Sequence, residues 1–175
     1  MRHPSPSTLA MLILAVVLVS CAPEEKGEKR QPQKEIPLVA IENLHIVTGE
    51  VVYVPAYSQI HSMVEAGTMD LAVTLSVRNT DIRRPIIIRS VKYYSTGGEL
   101  LKEYVETPMQ LGPMASTEFF IEQSDKSGGA GANFIVEWGA EQPVYEPVIE
   151  AIMLGVRGTH AFAWRSPGRV MKVTE

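Results

Sequence analysis

The chain has 175 residues, with 16 basic and 20 acidic side chains, one cysteine and a formal net charge of −4. This mild acidity argues against nucleic-acid binding, which needs a basic surface to displace phosphate counterions. A single cysteine excludes an intrachain disulfide and a zinc site built from several thiolates. The length suits one domain.

The first twenty residues have the three parts of a bacterial secretory leader. Arg2 supplies a positive start, Leu9–Val19 is an unbroken apolar run, and Ser20 places a small side chain directly before Cys21. A membrane-spanning helix needs about 20 apolar residues. The run is shorter than that and therefore predicts a leader that is removed. The sequence Leu18-Val19-Ser20-Cys21 resembles the lipobox of bacterial lipoproteins.

The lipobox resemblance implies cleavage before Cys21, a diacylglycerol thioether on its sulfur and acylation, for example with palmitate, of the new amino group. Several acyl chains anchor a protein firmly, because each buried methylene contributes about 0.8 kcal/mol. Ala22 follows the cysteine, and the lack of Asp there is compatible with an outer-membrane location facing the periplasm in a Gram-negative cell. The alternative is an ordinary leader, residues 1–20, with an incidental cysteine near its end.

Residues 21–35 predict a lipidated cysteine followed by a disordered tether. The segment after Cys21 is rich in Glu, Lys, Gln and Pro and contains no large apolar side chain. Such a composition cannot bury enough surface to offset chain entropy. Without residues 1–20, 15 basic and 20 acidic side chains remain, a net charge of −5. We expect a single folded domain over residues 36–175.

The folded part reads as a series of β-strands. Leu38–Val47 and Glu50–Val54 are rich in β-branched residues and are divided by Thr48-Gly49, a turn signal. Met69–Val77 alternates strictly between apolar and small or polar residues, which predicts a strand with one buried face. A hairpin is predicted for Ile86–Tyr94 and Leu100–Val105 because Gly97-Gly98 lies between them.

Further strands are predicted at Ala115–Glu122, Phe134–Trp138, Val148–Val156, His160–Trp164 and Val170–Val173, with a turn at Ser166-Pro167-Gly168 before the last of them. No segment of the mature chain has a helical apolar stripe over three turns. Short strands separated by turn residues predict an all-β fold. We expect an antiparallel immunoglobulin- or fibronectin-III-like β-sandwich of about 7–9 strands, with a small β-barrel as the alternative.

The segment Val52-Tyr53-Val54-Pro55-Ala56-Tyr57-Ser58, the strand end Arg78-Asn79-Thr80 and the lipobox resemble a family of bacterial lipoproteins, domain of unknown function 3124. The resemblance covers roughly Val51–Val173, and its most specific part is the Tyr-Val-Pro-Ala-Tyr-Ser segment. It implies a compartment and a domain extent, and it carries no catalytic residue to this chain.

The predicted function is that of a non-enzymatic envelope lipoprotein, a binding or accessory module that recognises a protein or another envelope component through loops. The candidate binding loop contains Tyr53, Pro55, Tyr57, Ser58 and His61, where a proline fixes the backbone beside polar and aromatic side chains. Ser124–Asn133, rich in glycine, is a second candidate loop, predicted to be mobile. We expect no cofactor and no nucleic-acid partner.

Two alternatives stay open at this stage. His61 and Met63 place an imidazole near a thioether, a combination that suits copper in a periplasmic metal-binding protein. Methionine is nevertheless a common core residue, so these two are weak metal candidates. A hydrolase built on Ser58 and His61 is a less favoured reading, since Ser58 lacks the Gly-x-Ser-x-Gly elbow.

Overall fold

The computed structural model describes residues 36–40, 44–62 and 67–174, all within the compact unit Glu35–Glu175. The predictions for the leader, for Cys21 and the tether, and for Met63 concern residues outside these ranges. Within the described ranges, no helix is both long enough and apolar enough to span a membrane.

The described residues form twelve β-strands and no helix. In chain order they are β1 (Thr48–Pro55), β2 (Gln59–Ser62), β3 (Gly67–Asp70), β4 (Ala72–Arg78), β5 (Ile86–Tyr94), β6 (Leu100–Val105), β7 (Met109–Leu111), β8 (Ser116–Ile121), β9 (Asn133–Ala140), β10 (Val148–Arg157), β11 (His160–Pro167) and β12 (Arg169–Thr174).

The strands form two main antiparallel sheets and a short ribbon. The first sheet has the order β12-β1-β9-β5-β6, and β7 pairs with the part of β5 that β6 leaves free. The second sheet has the order β11-β10-β4-β8, while β2 and β3 pair only with each other. Side chains that alternate along β1, β5 and β9 pack against those of β4, β8 and β10 to form one buried core.

The antiparallel β-sandwich predicted from the sequence is confirmed, although its two sheets contain ten strands among the described residues, rather than seven to nine, and the β2–β3 ribbon adds two more. The alternation predicted for the Met69–Val77 run holds from Leu71 onward, because Leu71, Val73, Leu75 and Val77 are fully buried. The run is nevertheless divided at Leu71, whose N–H donates to the carbonyl of Ser58 (2.9 Å). It therefore contributes β3 to the ribbon and β4 to the second sheet.

Two predicted turns are wrong. Thr48 and Gly49 lie inside β1, where a Cβ on Gly49 would be 2.4 Å from the carbonyl oxygen of Trp138, so glycine is needed there for close strand approach. Ser166 and Pro167 belong to β11, and Gly168 alone carries the chain from the second sheet into β12 of the first. The predicted strand Leu38–Val47 is also wrong, since its described residues contribute only a single bridge, between Leu38 and Met109.

The sandwich has two different ends. At the entry end, the described chain begins at residue 36 beside β7, and the segments 79–85, 112–115 and 141–147 connect strands. At the ribbon end lie the β2–β3 ribbon, the turn 95–99, the segment 122–132 and the turn 158–159. β4 runs from the ribbon end to the entry end, and β5 returns.

Candidate functional site

The five residues of the predicted binding loop are distributed over three elements. Tyr53 and Pro55 belong to β1, where Tyr53 is opposite Ile135 of β9. Tyr57 and Ser58 lie in the link between β1 and β2, Tyr57 half-buried and Ser58 fully buried. His61 is exposed on β2. The five side chains therefore do not share one loop, and Tyr57 is the member that reaches a neighbouring aromatic cluster.

Ser58 fixes the link to the body of the domain. Its backbone N–H and its Oγ both donate to the carbonyl of Gly129, at 3.1 and 3.2 Å, and its own carbonyl accepts the N–H of Leu71. A buried hydroxyl that donates to a backbone carbonyl is poorly placed to attack a substrate. This geometry is the local role that a serine beside a turn commonly has.

The second predicted loop, Ser124–Asn133, is tied down over its second half. The N–H and Oγ1 of Thr96 donate to the carbonyl of Gly128, at 2.8 and 2.9 Å, and Thr96 Oγ1 accepts the N–H of Gly131 at 2.8 Å. Ala56 N–H donates to the carbonyl of Ala132. These bonds pair the segment with the β1–β2 link and with the turn after β5, whereas its first half remains exposed.

Tyr93 is buried directly under this segment. A Cβ on Gly128 would lie 1.8 Å from the Tyr93 hydroxyl oxygen, so the backbone of Gly128 covers the hydroxyl. The hydroxyl makes no hydrogen bond of ordinary geometry among the described residues, although the Ser58 side chain is near enough to oppose the rise of its pKa. Burial raises the pKa of Tyr93 above its ordinary value. The tyrosine therefore packs as a core aromatic and stays protonated.

Three half-buried aromatic side chains form what we call the aromatic platform: Tyr57, Phe162 and Trp164. The rings of Phe162 and Trp164 are nearly parallel, 8° between planes, with centroids 5.9 Å apart. The Tyr57 ring, which comes from the first sheet's β1 link, is tilted 56° to that of Trp164 at 6.4 Å. The platform thus joins the two sheets along the edge where β11 ends the second sheet.

The platform depends on a glycine in the neighbouring strand. Gly155 of β10 is directly opposite Phe162 of β11, and a Cβ at position 155 would lie 2.3 Å from the Phe162 ring. The Cζ and Cε2 atoms of the ring, together with Leu71 Cδ2, therefore occupy the space that a side chain at position 155 would need. Covering a strand glycine with a cross-strand aromatic ring is a recognised way to stabilise a sheet edge.

A groove of about 310 Å³ lies between the ribbon and the end of β10. Arg157 Nη1 donates to Ser62 Oγ at 2.7 Å, and Asp70 pairs with Lys126 Nζ at 2.7 Å and accepts from Gln59 Nε2 at 2.8 Å. In the described ranges no group of three His, Cys, Asp or Glu side chains is arranged to hold a metal ion. The groove is polar.

The most elaborate polar network lies at the entry end, around Asp81. This buried carboxylate accepts the N–H groups of Arg83 (2.8 Å) and Arg84 (2.9 Å) on Oδ1, and that of Tyr145 (3.4 Å) on Oδ2. The N–H of Arg83 is the main cause that lowers the pKa of Asp81, with those of Arg84 and Tyr145 adding to it against the opposing effect of burial. Asp81 therefore remains a carboxylate that organises two segments.

Asn79 completes this network from the buried side. Its Nδ2 donates to the carbonyls of Arg84, Leu111 and Gly112, and its Oδ1 accepts the N–H of Asp81. Arg84 Nη1 also donates to the carbonyl of Pro143. A cleft of about 470 Å³ opens between the two segments, lined by residues 81–84 and 143–145. In the sequence, Asn79 and Asp81 are ordinary turn-forming residues after a strand, so no local pattern indicates this site.

Fold and site together define an antiparallel β-sandwich that carries an aromatic platform near its ribbon end and an Asp81-centred cleft at its entry end. The family model described as a protein of unknown function, DUF3124, matches residues 49–171. The chain belongs to this family. None of the curated proteins matches it. Among solved structures, the crystal structure of Thermotoga maritima 1070 is similar, with a TM-score of 0.42 and 12% sequence identity over 69% of this chain and 92% of that chain.

Proposed function

We propose that this protein is a non-enzymatic lipoprotein of the cell envelope that recognises a protein or another envelope component. Cleavage before Cys21 and acylation of that residue supply the anchor, as the sequence Leu18-Val19-Ser20-Cys21 indicates. In a Gram-negative cell the domain faces the periplasm from the outer membrane. The β-sandwich is the binding module.

The aromatic platform is the observation that supports the binding role. Tyr57 and Trp164 are partly exposed yet held in place, Tyr57 by the adjoining buried Ser58 and Trp164 by its stack on Phe162. Tyrosine and tryptophan dominate the energetic centres of protein interfaces because they bury a large area with few rotatable bonds. Phe162 and Trp164 of the platform lie on β11, an edge strand of the second sheet whose unpaired backbone groups can pair with a partner segment.

The test is capture of partners by crosslinking in intact envelopes. We expect the double variant Tyr57→Ala, Trp164→Ala to lose its partners, with affinity reduced about thirtyfold or more, since truncation of a hot-spot residue costs about 2 kcal/mol or more. Phe120→Ala is the matched control, because Phe120 is an exposed aromatic on β8, the opposite edge of the second sheet. His61→Ala tests the remaining exposed member of the predicted loop.

Capture of the same partners, in the same amounts, by the Tyr57→Ala, Trp164→Ala protein would show that the platform is not the binding site. Circular dichroism of each variant verifies that the sandwich is intact, so that a loss of capture reports the surface and not the fold.

A further inference from the structure

The most exposed large apolar side chains of the described residues all lie at the entry end. Leu38, Ile82, Met114 and Tyr145 are 64–70% exposed, and the next in order is Met171 of β12 at 62%. Leu38 lies beside β7, and the other three occupy the three connecting segments of that end. Single exposed apolar residues are ordinary, but four at one end form a group.

Three of these side chains are brought together by Asp81. Ile82 follows Asp81 directly in the chain. The Asp81 carbonyl accepts the N–H of Met114 at 3.1 Å, and Asp81 Oδ2 accepts the N–H of Tyr145 at 3.4 Å. The buried Asn79 fixes the same segment from below. The hydrogen bonds of Asp81 and Asn79 therefore hold together the three segments that carry these apolar side chains.

Met114 occupies a backbone conformation that favours glycine. Its φ is 56°, in the left-handed region that non-glycine residues seldom adopt. Glycine or asparagine would fit this turn at lower cost. A methionine there places an exposed thioether side chain at the tip of the turn, at the expense of backbone strain.

The ribbon end is different in character. Its described turns are formed by small and polar residues: 96–98 (Thr-Gly-Gly), 124–127 (Ser-Asp-Lys-Ser) and 158–160 (Gly-Thr-His). Among the described residues of this end, Leu100 at the start of β6 and Val156 near the end of β10 are exposed large apolar side chains, at 51% and 52%. Among the described residues, the most exposed large apolar side chains of several connecting segments therefore come together at the entry end.

The position of the chain entry indicates what covers this surface. The described chain begins at residue 36, and the carbonyl of Pro37 accepts the N–H of Gln110 at 2.8 Å. Gln110, Arg83 and Arg84 line a second cleft of about 220 Å³. Residues 22–35 separate Cys21 from this point, and a chain of that length reaches at most about 50 Å when fully extended. Acylation at Cys21 therefore attaches the domain to the bilayer through its entry end, with the ribbon end one strand length farther along the sandwich.

We propose that the entry end rests on the phospholipid surface that holds the lipid anchor, with Ile82, Met114 and Tyr145 inserted among the headgroups. This inference rests on the acylation proposed above. Tyrosine beside aliphatic side chains is typical of protein surfaces at the membrane–water interface. The platform, near the other end, is then turned toward the solvent and toward its partner.

Arg83 supplies the polar part of the contact. Its side chain is exposed, and it has no hydrogen-bond or ion-pair partner among the described residues, so it is free to pair with a lipid phosphate. Glu141 and Glu146 lie in the adjoining segment and offset the positive charge. The contact is therefore driven by the apolar tips and persists at high salt and on zwitterionic lipid.

The experiment places an environment-sensitive NBD fluorophore on an azide-bearing amino acid. The variants Ile82→p-azidophenylalanine and Thr159→p-azidophenylalanine report the entry end and the ribbon end of the full mature chain. Each is prepared twice in vesicles of phosphatidylethanolamine and phosphatidylglycerol: as the protein acylated in cells, and as unacylated protein coupled through Cys21, the single cysteine, to a maleimide lipid. Phosphatidylcholine vesicles and high salt are parallel conditions.

We expect emission from position 82 to shift to shorter wavelength and to be quenched by lipids brominated on their acyl chains, while position 159 keeps its aqueous spectrum. Met114→Ser with Tyr145→Ser reduces the shift at position 82, whereas Leu100→Ser with Phe120→Ser, which removes exposed apolar groups elsewhere, leaves it unchanged. An aqueous spectrum at position 82 in the coupled protein, or equal responses at both positions, overturns the inference. Failure of acylation is seen separately, because the protein made in cells then does not float with vesicles.

Discussion

At Gly128, neighbouring side chains fill the space that a side chain on this residue would need. The hydroxyl and ring of Tyr93 and the methyl group of Ala132 all lie within 2.8 Å of an ideal Cβ at this position. Tyr93 and Ala132 are both buried and cannot move away to make room. The glycine allows the segment 122–132 to close over the core.

We therefore expect Gly128→Ala to lower the free energy of unfolding by about 1–3 kcal/mol, the usual cost of forcing an extra methyl group into a packed site. Urea denaturation followed by circular dichroism measures it. Gly112→Ala is the control, because no atom lies within 4 Å of a Cβ at position 112. Equal stability of Gly128→Ala and the wild type would contradict the packing described for Tyr93.

Asp81 predicts how stability depends on acid. Since hydrogen bonds from the backbone lower its pKa in the folded state, Asp81 stabilises the fold at pH values above its unfolded pKa of about 3.9. That contribution is lost as the pH falls through the folded value.

We expect Asp81→Asn to be less stable than the wild type at neutral pH and to lose less stability on acidification below about pH 5. The measurement is the free energy of unfolding across the acid range. Asp125→Asn serves as the control, because Asp125 is an exposed aspartate that also accepts a backbone N–H, from Ser127. Parallel acid profiles for the wild type and Asp81→Asn would show that Asp81 does not contribute this dependence.

At the scale of the elements, the pairing of β10 with β11 positions the aromatic platform. The Phe162 ring can take the position in which it stacks on Trp164 because Gly155 leaves space for its Cζ and Cε2 atoms. A side chain at position 155 lifts the ring, while the backbone pairing of the two strands can remain.

We predict that Gly155→Ala weakens the near-ultraviolet circular dichroism of the stacked rings and reduces partner capture. Far-ultraviolet dichroism should change little, since the strands stay paired. In Gly155→Ala, Phe162→Leu the smaller side chain relieves the clash with the ring but not that with the buried Leu71. The double variant should therefore recover part of the stability lost in Gly155→Ala without recovering capture. Unchanged near-ultraviolet dichroism in Gly155→Ala would mean that Phe162 does not depend on the glycine.

The elements that could be predicted from the sequence are those in which local pattern and final burial agree. The β8 run alternates so that Thr117, Phe119 and Ile121 are buried and Phe120 is exposed, as its sequence indicates. The β5–β6 hairpin and the strand character of β10 were likewise predictable, because their signals are local.

The two wrong turn predictions come from glycines that serve tertiary contacts. Gly49 resembles a turn residue in sequence, but its lack of a side chain allows the Trp138 carbonyl of β9 to approach closely. Gly168 packs against Val52 at the point where the chain passes from one sheet to the other. The neighbours responsible are distant in the chain, so no local pattern reveals them. The same limit applies to the site, since Tyr57 meets Trp164 only after the two sheets have packed.

At the scale of the whole molecule, the sandwich separates two surfaces. The aromatic platform is near the ribbon end, while the apolar tips around Asp81 and the start of the described chain are at the entry end. A tethered binding module needs this separation, because the end that contacts its support cannot also receive the partner. With the proposed anchor at Cys21, the entry end is the one that faces the membrane, and the aromatic platform is the surface left for the partner.

The most direct test of this account is mass spectrometry of the N-terminal peptide, combined with membrane fractionation of cells that express the wild type or Cys21→Ser. We predict that the mature wild type begins at Cys21, carries a diacylglycerol and an additional acyl chain, and fractionates with membranes, whereas Cys21→Ser is released from them. An unmodified Cys21, or Cys21→Ser protein that remains fully with the membranes, would contradict the account.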